Sequence, residues 1–272
     1  MPKRQRQNIS RLWRCGSKLG YWTNKVVMIT GASSGIGKGI ALEIAARGAH
    51  LGLLARREEL LNEIVSETKG VKAITAAADV RDAKAVRDAA NRFREQLGPI
   101  DILIANAGIG TADHASRLTP EHAADVIGIN VLGAVNSVAA VLPEMIQRKQ
   151  GRLVAISSLA AYRGLPKSGA YCASKAALTS YFESVRIDLR NTGVGVTVIY
   201  PGFIKTDLTS GRAAKMPYLM ELDEGVKKIV SAIEREKKSY AFPWQLATIV
   251  RAGLLMPVAM YDWFAARNSY RE

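Results

Sequence analysis

The chain has little thiol or imidazole to work with. Its two cysteines, Cys15 and Cys172, lie far apart and match no metal-ligand spacing, which argues against a disulfide scaffold and fits a reducing compartment. Its three histidines, His50, His114 and His122, form no ligand motif, so no metal site is expected. Acidic residues are missing from Met1 to Lys25, where seven basic ones stand: Lys3, Arg4, Arg6, Arg11, Arg14, Lys18 and Lys25. Half of the net charge of +14 is therefore concentrated ahead of the first expected strand. No apolar run follows these cations, which excludes a secretory signal. A disordered tail, a nucleic-acid arm and a segment lying on an anionic membrane all suit such a leader. No base-stacking aromatic pattern accompanies the charge, so nucleic acid is not the expected partner. Ile9, Leu12, Trp13 and Leu19 are spaced loosely as one helical face, which favours the membrane surface over the nucleic acid.

What is present is a regular alternation. "KVVMIT", ending at Thr30, reads as a buried strand, followed by glycines and a helix to Arg47. His50–Ala55 is a second strand, "KAITAAAD" a third, "DILIAN" a fourth, "GRLVAISS" a fifth and "GVTVIYPG" a sixth. Helical stretches separate them, notably Ala83–Leu97, Pro120–Arg148 and Ser168–Asn191. Strands joined by helices must be parallel, and right-handed crossovers put helices on both faces. The expectation is an α/β single-domain Rossmann fold: a doubly wound parallel sheet covered on both sides. Residues 1–24 form a basic leader, 25–242 the dinucleotide-binding and catalytic domain with a substrate lid at 206–220, and 243–272 an apolar tail.

"TGASSGIG", Thr30 to Gly37, falls between the first strand and its helix. There a dinucleotide pyrophosphate needs a close backbone and a helix N-terminus. Gly31 permits the tight turn, and Gly35 and Gly37, on either side of Ile36, clear space for phosphates and helix packing. Ser33 and Ser34 offer donors. At the end of the second strand an NAD site commonly carries an acid for the ribose 2′-hydroxyl. Here Arg56 and Arg57 stand instead, suited to a 2′-phosphate, so NADP(H) is expected over NAD(H). The competing reading has both arginines opening a solvated helix, paired with Glu58 and Glu59.

"AYCASKAAL" places Tyr171 and Lys175 four residues apart, hence on one face of a helix. Together "TGASSGIG", "NAG" at Asn106–Gly108, "YCASK" at Tyr171–Lys175 and "PG" at Pro201–Gly202 resemble the motifs of the short-chain dehydrogenase/reductase family, in its order and at its spacings. The resemblance covers Lys25 to Asp207. It implies carbonyl reduction or alcohol oxidation with a nicotinamide cofactor, and a homodimer or homotetramer. It assigns catalytic roles to Asn130, Ser158 (rather than its neighbour Ser157), Tyr171 and Lys175; the alternative, a non-catalytic NADP-binding sensor or scaffold on the same fold, has no need of all four. It puts Asp79 and Val80 beside the adenine, Asn106, Ala107 and Gly108 along the cofactor with Pro201 and Gly202, and Ile204 and Thr206 at the carboxamide. Physical chemistry supplies the roles. A free phenol, with pKa near ~10, is a poor base at neutral pH, and a nearby ammonium stabilises its phenolate. Lys175 also holds the nicotinamide ribose, and Ser158 donates to the substrate oxygen as charge builds. Asn130 is expected to hold a water in the proton relay. Cys172 reads as packing.

Beyond Thr206 the family diverges. "TDLTSGRAAKMPYLM" reads as the lid, with Met216, Tyr218, Leu219 and Met220 as candidate pocket residues. The tail is rich in large apolar side chains, from Trp244 through Leu255 to Trp263 and Phe264, but Arg251, Pro257 and Asp262 break it below the roughly 18 residues of a spanning helix. A membrane-surface helix pair, a subunit contact and an internal core remain open, in that order. The substrate expected is a hydrophobic carbonyl compound. The location expected is cytoplasmic, with peripheral contact through both termini at the inner face of a membrane.

Overall fold

A computed structural model describes residues 20–110, 114–209 and 216–267. Most of the leader therefore lies outside the described residues, as does the middle of the expected lid. The first strand, β1 (Val26–Thr30), is buried at every position, as a strand covered on both faces must be. It is followed by α1 (Gly35–Ala45), β2 (His50–Ala55), α2 (Glu58–Glu67), β3 (Ala73–Ala77), α3 (Ala83–Leu97) and β4 (Ile102–Ala105). Then come α4 (Pro120–Ile127), a π-helical turn (Gly128–Leu132), α5 (Gly133–Gln147), β5 (Gly151–Ile156), α6 (Gly169–Asp188) and β6 (Val194–Pro201). The chain ends in α7 (Leu222–Glu234), β7 (Ser239–Phe242), α8 (Trp244–Leu254) and α9 (Val258–Arg267). Local chemistry marks several starts. The Asp82 carboxylate accepts from the N–H groups of Lys84 and Ala85 ahead of α3, and Thr119 caps α4 with Pro120 at its first position.

The described strands form one parallel sheet in the order β3-β2-β1-β4-β5-β6-β7. One apolar layer packs Phe93 of α3, Val138 and Met145 of α5, and Leu178 and Phe182 of α6 against one face. The other packs Ile40 and Ile44 of α1, Leu61 and Ile64 of α2, and Ile229 and Ile233 of α7 against the opposite face. This is the doubly wound Rossmann arrangement expected.

Three differences from the sequence reading stand out. β7 is a seventh strand; its four residues, SYAF, run straight into the apolar tail, which hides them. α7 is a helix outside the strand–helix alternation read from the sequence. Trp22, within the basic leader, is buried at 1% exposure, and its indole N–H donates to Glu234 at 2.7 Å. Arg47 pairs with the same carboxylate at 2.6 Å, so the buried charge is both paired and hydrogen-bonded. The helical run Pro120–Gln147 is 28 residues long with mean hydropathy 1.8 over its most apolar window, enough by composition to cross a membrane. Half of that window is buried in the protein, and α3 and α6 flank it, as for a core helix.

Candidate active site

The order of the sheet reverses between β1 and β4, and a crevice opens there beyond the carboxyl ends of the strands. It holds a cavity of about 810 Å³. From the first loop come Gly31, Ser33, Ser34, Gly35 and Ile36; from the end of β2, Arg56 and Arg57; from beyond β3, Asp79 and Val80. Asn106, Ala107 and Gly108 enter from the end of β4, and Pro201, Gly202, Ile204 and Thr206 from the end of β6. Of the residues expected to touch cofactor, Gly37 alone is not in the lining.

Gly37 acts from behind. A Cβ there would lie 2.3 Å from the Gly31 carbonyl oxygen and 2.6 Å from Asn106 Nδ2. Gly31 has φ +64°, and its own Cβ would lie 2.6 Å from the Ala107 Cα. The loop can follow this path only with glycine at both places. Asn106 then ties the loop to β4, donating through Nδ2 to the carbonyls of Thr30 (3.0 Å) and Gly31 (3.1 Å). Thr30 Oγ1 accepts from the N–H groups of Asn106 and Ala107, both at 3.2 Å; no expectation had been placed on this threonine. Ser34 precedes α1 without a side-chain capping bond, which leaves the first-turn N–H groups without a hydroxyl partner. Such a cradle fits an anionic pyrophosphate.

Arg57 closes the cradle, donating to Ser33 Oγ at 3.1 Å and Ser34 Oγ at 3.0 Å. No ion pair joins Arg56 or Arg57 to Glu58 or Glu59 among the described residues. Asp79 is the carboxylate at this end; Arg81 bonds it at 2.8 Å and holds its pKa below the ordinary value.

Further along the crevice α6 contributes Tyr171 and Lys175, and the segment after β5 contributes Ser158. Lys175 is 4% exposed, donates through Nζ to the Ile156 carbonyl at 2.8 Å, and lies 5.8 Å from the centre of the Tyr171 ring. Burial lowers its pKa from 10.5 to about 8. Ser157 and Ser158 have different partners. Ser157 Oγ donates to the Lys175 carbonyl at 3.1 Å and lies 2.9 Å from Thr179 Oγ1, so it fastens α6 to β5. Ser158 Oγ accepts from Ala160 N–H at 3.1 Å, which leaves its own proton to donate.

Asn130 is not in the cavity lining. It occupies the π-helical turn, a feature often found at functional sites. Its Oδ1 accepts from Ile109 N–H at 2.8 Å, and its Nδ2 donates to the Ile109 carbonyl and to Ser174 Oγ, each at 2.9 Å. The side chain thus clamps the loop after β4 behind Gly108. It is the one expected catalytic residue that the structure sets in a supporting layer.

The far wall departs most from expectation. Thr206, Asp207, Leu208 and Thr209 line the cavity. Met216, Tyr218, Leu219 and Met220 do not: Met220 is buried beside Ile204 through a one-residue bridge, and Tyr218 and Leu219 face solvent. The apolar wall comes instead from Leu246, Ile249 and Val250 of α8, Met256 between the helices, and Tyr261 and Phe264 of α9. Arg163, Leu165 and Pro166 complete it. The tail residues carried a signal, their density of large apolar side chains; Arg163 and Tyr261 carried none. The outer faces of α8 and α9 remain exposed, with Trp244 at 72%, Leu255 at 89% and Val258 at 68%.

A switch-point crevice, a glycine cradle and a tyrosine–lysine helix define a Rossmann-fold oxidoreductase whose fold binds a nicotinamide cofactor. The family model for short chain dehydrogenases matches residues 25–217, and the chain belongs to that family. A relative named as an uncharacterised oxidoreductase of Myxococcus xanthus is 41% identical over 245 residues, covering 89% of this chain and 97% of its own. A solved short-chain dehydrogenase/reductase from Burkholderia phymatum, in complex with NAD, superposes with a TM-score of 0.79 at 24% identity, covering 93% of this chain and 98% of the other. A short-chain dehydrogenase from Mycobacterium paratuberculosis bound to NAD gives 0.74 at 25% identity, covering 81% and 96%.

Proposed function

We propose that this protein is an NADP(H)-dependent reductase of a lipophilic carbonyl compound, with Tyr171 as proton donor. The observation that carries the reading is one cavity lined by Arg56 and Arg57 at its cofactor end, by Tyr171, Ser158 and Lys175 at its middle, and by apolar side chains at its far end. The bound cofactor supplies a hydride to the carbonyl carbon. The chain's own groups do the rest. Tyr171 gives its phenolic proton to the carbonyl oxygen. Ser158, its Oγ already accepting from Ala160, donates to the same oxygen as negative charge develops, a contact worth about 3 kcal/mol. Lys175, with a pKa of about 8, is roughly ten-to-one protonated at pH 7 and supports the phenolate left behind. Two of its three N–H donors remain after the bond to Ile156, enough to grip a ribose diol. Asn130 keeps Gly108 and Ile109 in place, and its Oδ1 retains a lone pair for a relay water.

Preference for NADP(H) rests on two guanidiniums where an acid would repel the 2′-phosphate. Arg57 is already held at the cradle by Ser33 and Ser34. The apolar outer face of α8 and α9 belongs to the same reading: peripheral contact with the inner face of a membrane from which a lipophilic substrate is drawn. The protein acts in the cytoplasm as a homodimer or homotetramer.

The test follows NADPH oxidation by its absorbance, with a homologous series of 2-alkanones and aldehydes. Turnover that rises with chain length, and falls by about 10²- to 10⁴-fold in Tyr171→Phe with NADPH still bound, supports the reading. Equal rates in variant and parent would sink it.

A further inference from the structure

The helix pair α8–α9 covers the substrate end of the cavity, yet α9 has no buried residue of its own. Only partial burial of Tyr261, Phe264 and Ala265 holds it there by apolar contact. α8 is anchored by buried Leu246 and Ala247, and what ties α9 to it is a short stretch that directly follows the 3-10 turn opened by Ser158. Arg163 donates through Nη1 to the Gly253 carbonyl, and to that of Met256 at 3.1 Å, so its guanidinium closes the last turn of α8. The same guanidinium lies 3.8 Å from the centre of the Tyr261 ring on α9. Tyr261 returns the contact, its hydroxyl donating to the Gly164 carbonyl at 2.5 Å. Next door, Arg251 of α8 donates to Tyr162 Oη at 3.2 Å. Tyr162, Arg163 and Gly164 each hold the roof, and together they follow Leu159–Ala161 directly.

We infer that Arg163 is a specificity-determining positioning residue: it latches α8–α9 over the substrate chamber and sets the depth of that chamber relative to Ser158. The inference rests on the proposed carbonyl-reductase reading for its kinetic arm, and on geometry alone for its structural arm. Arg163 suits the role because its Nη1 reaches two carbonyls while the planar face of the guanidinium covers a ring. Lysine can reach a carbonyl but cannot do both. The latch also joins the two ends of substrate recognition, since a shift of the roof is felt at the backbone that carries the Ser158 hydroxyl.

Three variants test it in the full-length protein: Arg163→Met, Arg163→Lys and Tyr261→Phe. In the kinetic arm, the preference for long over short 2-alkanones, as a ratio of kcat/KM, is expected to fall about tenfold in Arg163→Met, mainly through KM. Arg163→Lys recovers part of it, and NADPH affinity by fluorescence titration stays at the parent value. In the structural arm, limited proteolysis is expected to cut the α8–α9 region at least several-fold faster in Arg163→Met, less so in Tyr261→Phe, with an unchanged thermal midpoint for the sheet domain. An unchanged chain-length profile together with an unchanged cleavage rate overturns the latch. Loss of NADPH binding in step with KM overturns it too, because the effect would then be a general collapse of the site. If the parent turns over no carbonyl at all, the functional reading fails, and the cleavage rates still decide the latch.

Discussion

The two ends of the cavity are built on different physical principles. At the cofactor end the backbone sets the wall: Gly31, backed by Gly37, meets Ala107 and Asn106 at distances that leave no room for one added carbon. Gly31 and Asn106 directly follow strands that are buried along their length. At the substrate end the wall is side chains on two short helices, one of them without a buried residue, held by guanidiniums, a ring and hydroxyls. The first can be altered only by disrupting the fold; the second can change shape at the cost of a few polar contacts. A rigid half for the part of the reaction that never varies, and an adjustable half for the part that does, is what this division provides.

The contrast breaks most easily at Gly37. Gly37→Ala sets a Cβ against the backbone, and NADPH affinity is expected to fall more than about 100-fold with a stability loss of about 3 kcal/mol, read by titration and denaturant unfolding. An alanine that binds NADPH as tightly as the parent would show that the rigid half yields after all. Next in size is a pH effect at the junction of the halves. Lys175 has a pKa of about 8 in the fold against about 10.4 unfolded. Below pH 8 both states are protonated and the full cost of the buried charge is present. Between about 8 and 10.4 the unfolded chain binds more protons, so stability rises with pH, and above that it levels off. Over that window the cofactor-free parent should gain about 3 kcal/mol relative to Lys175→Met. Parallel pH profiles for the two proteins would contradict the buried-cation account. Arg57→Ala should weaken NADPH by about 1.5–3 kcal/mol while leaving NADH nearly unaffected, because only the former carries the 2′-phosphate. Equal losses for both cofactors would place Arg57 in loop support instead. The smallest effect belongs to the outer face of the roof. Trp263, 58% exposed, can become serine within about 0.5 kcal/mol of parent stability, yet retention on anionic phosphatidylserine vesicles should drop. Unchanged retention would assign that face to another subunit.

How much of this was legible in the residues follows the same division. The cofactor end could be read because its constraints are local: a glycine at a fixed place after a buried strand, two arginines after the next, a tyrosine and a lysine one helical turn apart. Each is set by backbone geometry over a few positions. Ser157 and Ser158 differ only in what they meet across space, and the contact that ties Ser157 to Thr179 has no trace along the chain. The clamp of Asn130 on Ile109 is not legible, since nothing in "IGINVLG" announces an amide engaged with a loop about twenty residues earlier. The roof was harder still. Met216 to Met220 looked like lid residues by composition, and Met220 went to the core instead. Arg163 and Tyr261 stand nearly a hundred positions apart and look like surface residues until they meet. β7 was lost because a four-residue strand at the sheet edge merges with the apolar tail that follows it.

The turn at Gly128–Leu132 has a consequence for the length of the chain. A π turn carries one residue more than an α turn, so the helix beyond it is rotated by about 100° from the phase an uninterrupted α-helix would keep. Val138, Val141 and Met145 form the buried stripe beyond that offset. Removing a single residue between Gly128 and Leu132 would turn this stripe toward water and swing polar positions inward, whereas most side-chain exchanges there would keep the register. That helix is a gear with a fixed tooth count, more sensitive to how many residues it has than to which ones they are.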